Sequence, residues 1–314
     1  MILTVTLNPS LDRAVAIESL VRGEVLRAAP AHLDPGGKGV NVSRALLANG
    51  VPSRAVIPCG GPEGEQLVRL LAAEGVPMIA VPIAGRTRSN ITLAEPDGTI
   101  TKINEPGPAL SGAELKAVVE VVLSAAGSAD WAVVCGSIPP SLPVEEFSEL
   151  CSRLIEAGVR LAVDTSGPAL VAAAAAGASL IKPNREELAQ ATGRAVNSTE
   201  DVVAAAQQLR ALGAQAVLAS LGAEGAVLVD EDGVITGISP VAEPRSNVGA
   251  GDALLAGFLA GGTAGAEALA EGLAWAAAAV SLPGSRMPRP DDLRRDHVHI
   301  HHRPDLVRQL LARD

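Results

Sequence analysis

Asn247-Val248-Gly249-Ala250-Gly251-Asp252 runs directly into the apolar stretch Ala253-Leu254-Leu255-Ala256-Gly257-Phe258. Two glycines separated by one alanine make a tight backbone turn, and the apolar spacing beyond them makes the start of a helix. Such a turn leaves N–H groups unpaired and aimed at one point, where the positive end of the helix dipole adds to them. An anion hole of this kind, built on Gly249, Ala250 and Gly251, suits the charge that develops on a transferring phosphoryl group. Asp252 beside it is placed to take a proton from a hydroxyl. The same letters also spell an ordinary cap, because Asp and Gly are both common where helices begin. A dinucleotide fingerprint is excluded by Leu254, which stands where a small residue is required, and no Gly-Lys-Ser/Thr string forms a Walker loop.

A second glycine-rich turn, Gly36-Gly37-Lys38-Gly39-Val40-Asn41, also opens a helix. Its glycines admit close approach of a ligand and Lys38 adds a point charge, so an anionic group such as a sugar phosphate fits there; a flexible loop with a solvated lysine is the alternative. Asp12 follows Asn8-Pro9, just beyond the first strand, and either accepts hydrogen bonds from sugar hydroxyls or forms a turn. Arg88 lies in Arg86-Thr87-Arg88-Ser89-Asn90 and is either a second phosphate clamp or a solvated hairpin residue. Asn184 and Glu187, three apart at a helix start, can hold a hydrated Mg²⁺ through its waters or simply cap the helix. The glycine turn Ser220-Leu221-Gly222-Ala223-Glu224-Gly225 offers backbone groups to an adenine or ribose edge.

These residues need a frame that brings strand ends together. Apolar strands over residues 1–7, 54–60, 131–137, 160–164, 179–181 and 216–221 alternate with helices over 63–74, 111–126 and 144–157. That rhythm predicts a parallel sheet covered by helices. Ser111 and Glu114 spell a capping box. A hairpin is expected over 226–238, then helices over 251–260 and 266–282. Two segments break the rhythm. Residues 13–33 are extended without helical periodicity, and 78–106 alternate polar with apolar residues around the turn Pro96-Asp97-Gly98. They are expected to form a small β lid, leaving 1–12, 34–77 and 107–314 as the core.

The 314 residues are 48% hydrophobic and carry a formal charge of −10, enough for a large buried core and unsuited to nucleic acid, which calls for a basic face. Cys59, Cys135 and Cys151 have no metal-ligand spacing and read as small hydrophobes in a reducing compartment. The chain enters a strand without a basic leader, and no apolar run reaches membrane-spanning length, so a cytoplasmic protein with no membrane partner is expected. His297, His299, His301 and His302 in an Arg- and Asp-rich tail read as a solvated edge strand rather than a metal site.

Seven of these motifs, from Asn8-Pro-Ser-Leu-Asp12 to Gly249-Ala-Gly-Asp252, occur in an order that resembles the ribokinase-like sugar kinases of the phosphofructokinase B branch. The others are Gly36-Gly-Lys-Gly-Val-Asn41, Thr87-Arg-Ser-Asn90, Gly136-Ser-Ile-Pro139, Lys182-Pro-Asn-Arg-Glu-Glu187 and Ser220-Leu-Gly-Ala-Glu-Gly225. Within that branch the chain is most similar to 1-phosphofructokinases, then to tagatose-6-phosphate kinases. The resemblance implies a three-layer α/β/α sandwich with a mostly parallel central sheet, a β lid that often pairs two subunits, and the use of ATP and Mg²⁺. It further implies that Asp252 is the base and that Asp12, Gly37, Lys38, Asn41, Arg88, Asn90 and Ser137 bind the phosphosugar. Lys182, Asn184, Ser220, Gly222, Gly225 and Gly251 would serve the nucleotide, with Asn184 and Glu187 ordering the metal through water. A non-catalytic phosphosugar sensor would dispense with Asp252 or the Asn184/Glu187 pair, and all three are present. A nucleoside or plain-sugar kinase would have no phosphate for Lys38 and Arg88 to neutralise.

Overall fold

The computed structural model describes residues 1–302 and 304–311. In chain order the elements are β1 (Ile2–Val5), β2 (Ser10–Ala16), β3 (His32–Gly36), α1 (Lys38–Ala48), β4 (Ser53–Cys59), α2 (Gly61–Glu74), β5 (Met78–Pro82), β6 (Arg88–Ala94), β7 (Ile100–Asn104), α3 (Gly112–Ala126), β8 (Trp131–Cys135), α4 (Val144–Glu156), β9 (Arg160–Asp164) and α5 (Pro168–Ala175). Then come β10 (Leu180–Ile181), α6 (Arg185–Thr192), α7 (Thr199–Leu212), β11 (Val217–Ser220), β12 (Ala226–Asp230), β13 (Gly233–Ile238), α8 (Ala250–Ala260), α9 (Gly265–Val280) and β14 (His299–His301).

Two sheets form among the described residues. The larger has the order β14-β13-β12-β11-β10-β9-β8-β1-β4-β5. It is parallel from β5 to β11 and antiparallel from β11 to β14. Its strands are short apolar runs buried on both faces, as a covered parallel sheet requires. On one face Val5, Val134 and Leu161 pack with Phe147, Leu150, Leu170 and Leu209 of α4, α5 and α7. On the other, Val133, Leu218 and Leu228 pack with Leu255, Phe258 and Trp275 of α8 and α9. This is the expected three-layer α/β/α sandwich. The capping box of Ser111 and Glu114 is formed. The histidine tail supplies the edge strand β14, with His299 and His301 exposed. No helix among the described residues is long and apolar enough to cross a membrane.

The smaller sheet has the order β3-β2-β6-β7, and its limits differ from those expected. Residues 10–12 and 34–36 belong to it, while Met78–Pro82 does not: β5 pairs in parallel with β4 and closes the edge of the large sheet. Alternation alone does not tell an edge strand of one sheet from a strand of another, and the pairing partner decides. Residues 17–31, expected as extended, contain no strand. The expected core range ends at 314, and 303 and 312–314 lie outside the described residues.

Candidate active site

The strand order reverses at β1, which has β4 on one side and β8 on the other. In open α/β sheets this is where a crevice opens beyond the carboxyl ends of the strands. A cleft of about 410 Å³ lies there, reached by Asn8 after β1, Ser137 after β8 and Thr165 after β9. The small sheet forms its opposite wall. The register places Asp12, Asn90 and Asn104 in one row across β2, β6 and β7, with Ser10 beside Arg88 and Thr92 beside Lys102. Because side chains alternate along a strand, all of these face the cleft. The intervening residues do not. Just before β6, Thr87 is buried and accepts the Gly60 N–H at 3.1 Å, and Arg86 is bound to Glu63.

Asp12 Oδ1 accepts hydrogen bonds from Ser10 Oγ at 2.7 Å and Asn90 Nδ2 at 3.0 Å. Burial nevertheless raises its pKa above the usual carboxylate value, against those two bonds. A Cβ on Gly36 would lie 2.4 Å from the Asp12 carboxylate, so any larger residue there would displace that carboxylate. Burial also weakens the hold of Arg88 on its proton, opposed by the charges of Asp12 and Glu105. Arg88 Nε and Asn90 Oδ1 are buried and have no hydrogen-bond partner among the described residues. Such groups are costly to leave unpaired, so they mark where ligand oxygens and hydroxyls would bind.

The facing wall is the mouth of α8. Gly249 is its N-cap at φ +76°, and no side chain caps the helix among the described residues. By position the Gly251 and Asp252 amides have no acceptor within the helix. Asp252 is 7% exposed, borders the cleft and accepts a 2.9 Å hydrogen bond from Asn41 Nδ2. Burial pushes its carboxyl up to about 6, helped by the charge of Asp164 and resisted by Asn41, Lys38 and Lys182.

Asp164, at the end of β9, is fully buried between two lysines. Lys38 Nζ is 2.7 Å from one carboxylate oxygen and Lys182 Nζ 2.9 Å from the other. Burial works against its charge, but Lys182 and Lys38 prevail and hold its pKa below the usual value. Lys38 also reaches Glu187 at 3.2 Å. Burial opposes the Lys38 charge too, and the carboxylates of Asp164 and Glu187 overcome it and raise its pKa. Lys182 ends against the α8 mouth: a Cβ on Gly251 would be 3.4 Å from its Nζ.

Asn184 and Glu187 form a capping box. The Asn184 side chain accepts from the amides of Glu186 and Glu187, and Glu187 Oε2 accepts from the Asn184 amide at 2.8 Å. No group of three or more His, Cys, Asp or Glu among the described residues could hold a metal directly. A Mg²⁺ brought by phosphates would therefore meet Asn184 and Glu187 only through its waters. Ser220 pairs with Asn184 in an isolated bridge at the same sheet edge. Ser220, Gly222 and Gly225 do not line the cleft, and Gly225 has a packing reason for its type: at φ +92°, a Cβ would meet Gly237 O at 2.0 Å.

Thus Asp12, Gly37, Lys38, Asn41, Arg88, Asn90, Ser137, Glu187, Gly249 and Asp252 surround one space. Sequence reasoning missed Asp164, Lys102 and Asn104. A charge ending the apolar strand Arg160–Asp164 was one available signal. The period-2 placement of Lys102 and Asn104 in β7 was the other.

Residues 5–292 match the model of the pfkB family carbohydrate kinases. The ATP-dependent 6-phosphofructokinase isozyme 2 of Escherichia coli (strain K12) is 36% identical over 305 residues, 95% of this chain and 98% of that protein. A 1-phosphofructokinase of Haloferax volcanii is 38% identical over 305 residues, 96% of this chain and 97% of the relative. The crystal structure of phosphofructokinase-2 from Escherichia coli in complex with potassium superimposes with a TM-score of 0.88 at 36% identity, covering 93% of this chain and 96% of the other. A carboxylate at an uncapped helix mouth, facing a cationic β wall, is therefore found in a chain that belongs to the pfkB family of carbohydrate kinases.

Proposed function

We propose that the chain transfers the γ-phosphoryl group of ATP to a hydroxyl of a phosphorylated ketohexose. The acceptor proposed is fructose 1-phosphate, giving fructose 1,6-bisphosphate, with tagatose 6-phosphate and fructose 6-phosphate as alternatives. One observation carries this reading: a single cleft has Gly249 and Asp252, at the α8 mouth, on one wall and Arg88 and Lys102 on the other. One wall suits transfer, and the other suits a phosphate the acceptor already carries. A coupled ADP-release assay over the three phosphosugars and ribose tests it. Phosphosugars are expected to support turnover, and ribose used equally well would remove the reading.

In the mechanism, ionised Asp252 accepts the proton of the acceptor hydroxyl, and the amides of Gly251 and Asp252 hold the phosphoryl oxygens, the Ala250 amide being turned to the Asn247 carbonyl. Lys182 and Lys38, held by Asp164, face the same point and offset charge. Asn184 and Glu187 would touch the waters of a Mg²⁺ brought by ATP, which supplies charge neutralisation on the phosphates. The turn Ser220 to Gly225 is assigned to the nucleotide, and Asp12, Asn90 and Ser137 to the sugar. The small sheet is the lid, and closing it over the cleft would exclude water.

Because Asp252 works ionised and its pKa lies at about 6, kcat/KM is expected to fall tenfold for each pH step below that value. A flat profile between pH 5 and 7 would contradict this. Arg88→Ala is expected to raise the KM for the phosphosugar about 10- to 100-fold, the worth of a charge-assisted hydrogen bond, with the KM for ATP unchanged. Steady-state kinetics with each substrate varied in turn decide it.

A second copy of the chain is proposed to cover the outer face of the lid, where Ile91 and Leu93 are half-buried and Ile103 is 53% exposed. Light scattering is expected to give a dimer, and Ile103→Lys to shift it toward monomer. ATP and phosphosugars are cytoplasmic metabolites, and the enzyme is placed there.

A further inference from the structure

Arg44 is a buried arginine on α1 that the mechanism above leaves unused. Its Nε and NH2 clasp Glu74, the last residue of α2, at 2.7 and 2.8 Å. Its NH1 reaches the Ser285 carbonyl, beyond α9, at 3.3 Å, and lies 3.4 Å from Asn41 Oδ1. Arg44 and Asn41 are three residues apart, so they share a helix face. On its other side, Asn41 donates through Nδ2 to Asp252.

An amide has one oxygen that accepts and one nitrogen that donates. A guanidinium only donates, and an ionised carboxylate only accepts. With Arg44 on one side of Asn41, the amide oxygen must face the guanidinium and the NH2 must face Asp252. We propose that Arg44 is a positioning residue for the catalytic base: it fixes the Asn41 amide in the orientation that donates to Asp252, while Glu74 and Ser285 hold Arg44 in place. The inference rests on the reading of Asp252 as the base.

Without Arg44 the amide is free to turn and present its oxygen to the carboxylate. Asp252 would then lose a donor and gain a repulsion, and it would hold its proton more tightly. The other titratable groups facing Asp252 are Asp164 at the end of β9, Lys38 on α1, Lys182 after β10 and Cys135 on β8. A substitution at Arg44 removes none of them. A purely structural arginine, joining α1, α2 and the Ser285 segment, would change stability and leave the titration of Asp252 where it is.

The test is Arg44→Lys, whose ammonium can pair with Glu74 but has no fork to reach Asn41 and Ser285 as well. Two readouts are followed: the acid limb of kcat/KM with phosphosugar, and the titration of the Asp252 carboxyl by carbon-13 NMR in substrate-free protein. Both midpoints are expected to rise, lowering kcat/KM at pH 6 by about fivefold and leaving it near wild type at pH 8. Asn41→Ala is expected to raise the midpoint by itself, and adding Arg44→Lys to it to change nothing further. Glu74→Gln keeps Arg44 but loosens it, and a smaller rise in the same direction is expected. An unmoved midpoint in folded Arg44→Lys, or additive effects in the double variant, would overturn the proposal. Were Arg44→Lys not to fold, an unmoved midpoint in Glu74→Gln would do the same. The NMR titration uses no substrate, so a wild-type protein that transfers no phosphoryl group would refute the kinase reading alone.

Discussion

Asp252→Asn is expected to lower kcat by about 10²- to 10⁴-fold, the usual share of a general base, with little change in either KM. The substitution keeps shape and burial, and the anion hole is main chain. A second readout moves the other way. The Asp252 carboxyl titrates at about 6 in the folded chain, above its ordinary value of 3.8, because it is buried and lies near Asp164. The unfolded chain therefore releases this proton first as pH rises. Stability tied to the protonated form is full below the unfolded value and is lost as pH climbs through about 6. Asn carries no such liability, so Asp252→Asn is expected to melt higher than wild type at pH 8, with the gain shrinking toward pH 4. Turnover assays and thermal melts at both pH values decide it. Unchanged kcat would refute the base, and a lower melting temperature at pH 8 would refute the burial argument.

The largest loss of stability is expected from Asp164→Asn. Lys182 is 3% exposed and Asp164 not at all, so removing the carboxylate leaves a buried ammonium uncompensated. Breaking such a pair costs about 3–5 kcal/mol. At a few degrees per kcal/mol for a chain of this size, the melting temperature is expected to fall by roughly 6–15 °C. The kinetic signature is separate. Asp164 is a like charge that raises the proton affinity of Asp252, so the acid limb of kcat/KM is expected to move to lower pH. That is opposite to the direction expected for Arg44→Lys. Differential scanning calorimetry and a pH–rate profile of the same variant test both, and an acid limb that stays or rises would remove Asp164 from the field acting on Asp252.

The two outcomes depend on different kinds of information. The helix mouth at Gly249 to Asp252 was legible because its geometry is local: glycine spacing, a helix start and an acid within six residues fix where the amides point. The α/β rhythm was legible for the same reason, since each apolar run and its flanking turn carry their own periodicity. The capping box of Asn184 and Glu187 could be written as either cap or metal site, because its four residues hold both readings. The structure realises the cap, with each partner bonded to the other's amide.

By itself, the sequence determined most of the strands and helices, both glycine turns and the family of motifs, because these depend on contacts within a few residues; it did not mark the helix α7. It did not place Met78–Pro82, whose alternation is silent on which sheet edge it joins until β4 offers its hydrogen bonds. Nor did it reveal Asp164 between Lys38 and Lys182, or Arg44 behind Asn41. Lys38 and Asp164 are 126 positions apart along the chain, and Asn41 and Asp252 are 211 apart. Charge interactions weaken with distance, so only the tertiary structure, which brings those positions together, decides how the Asp252 carboxyl is held.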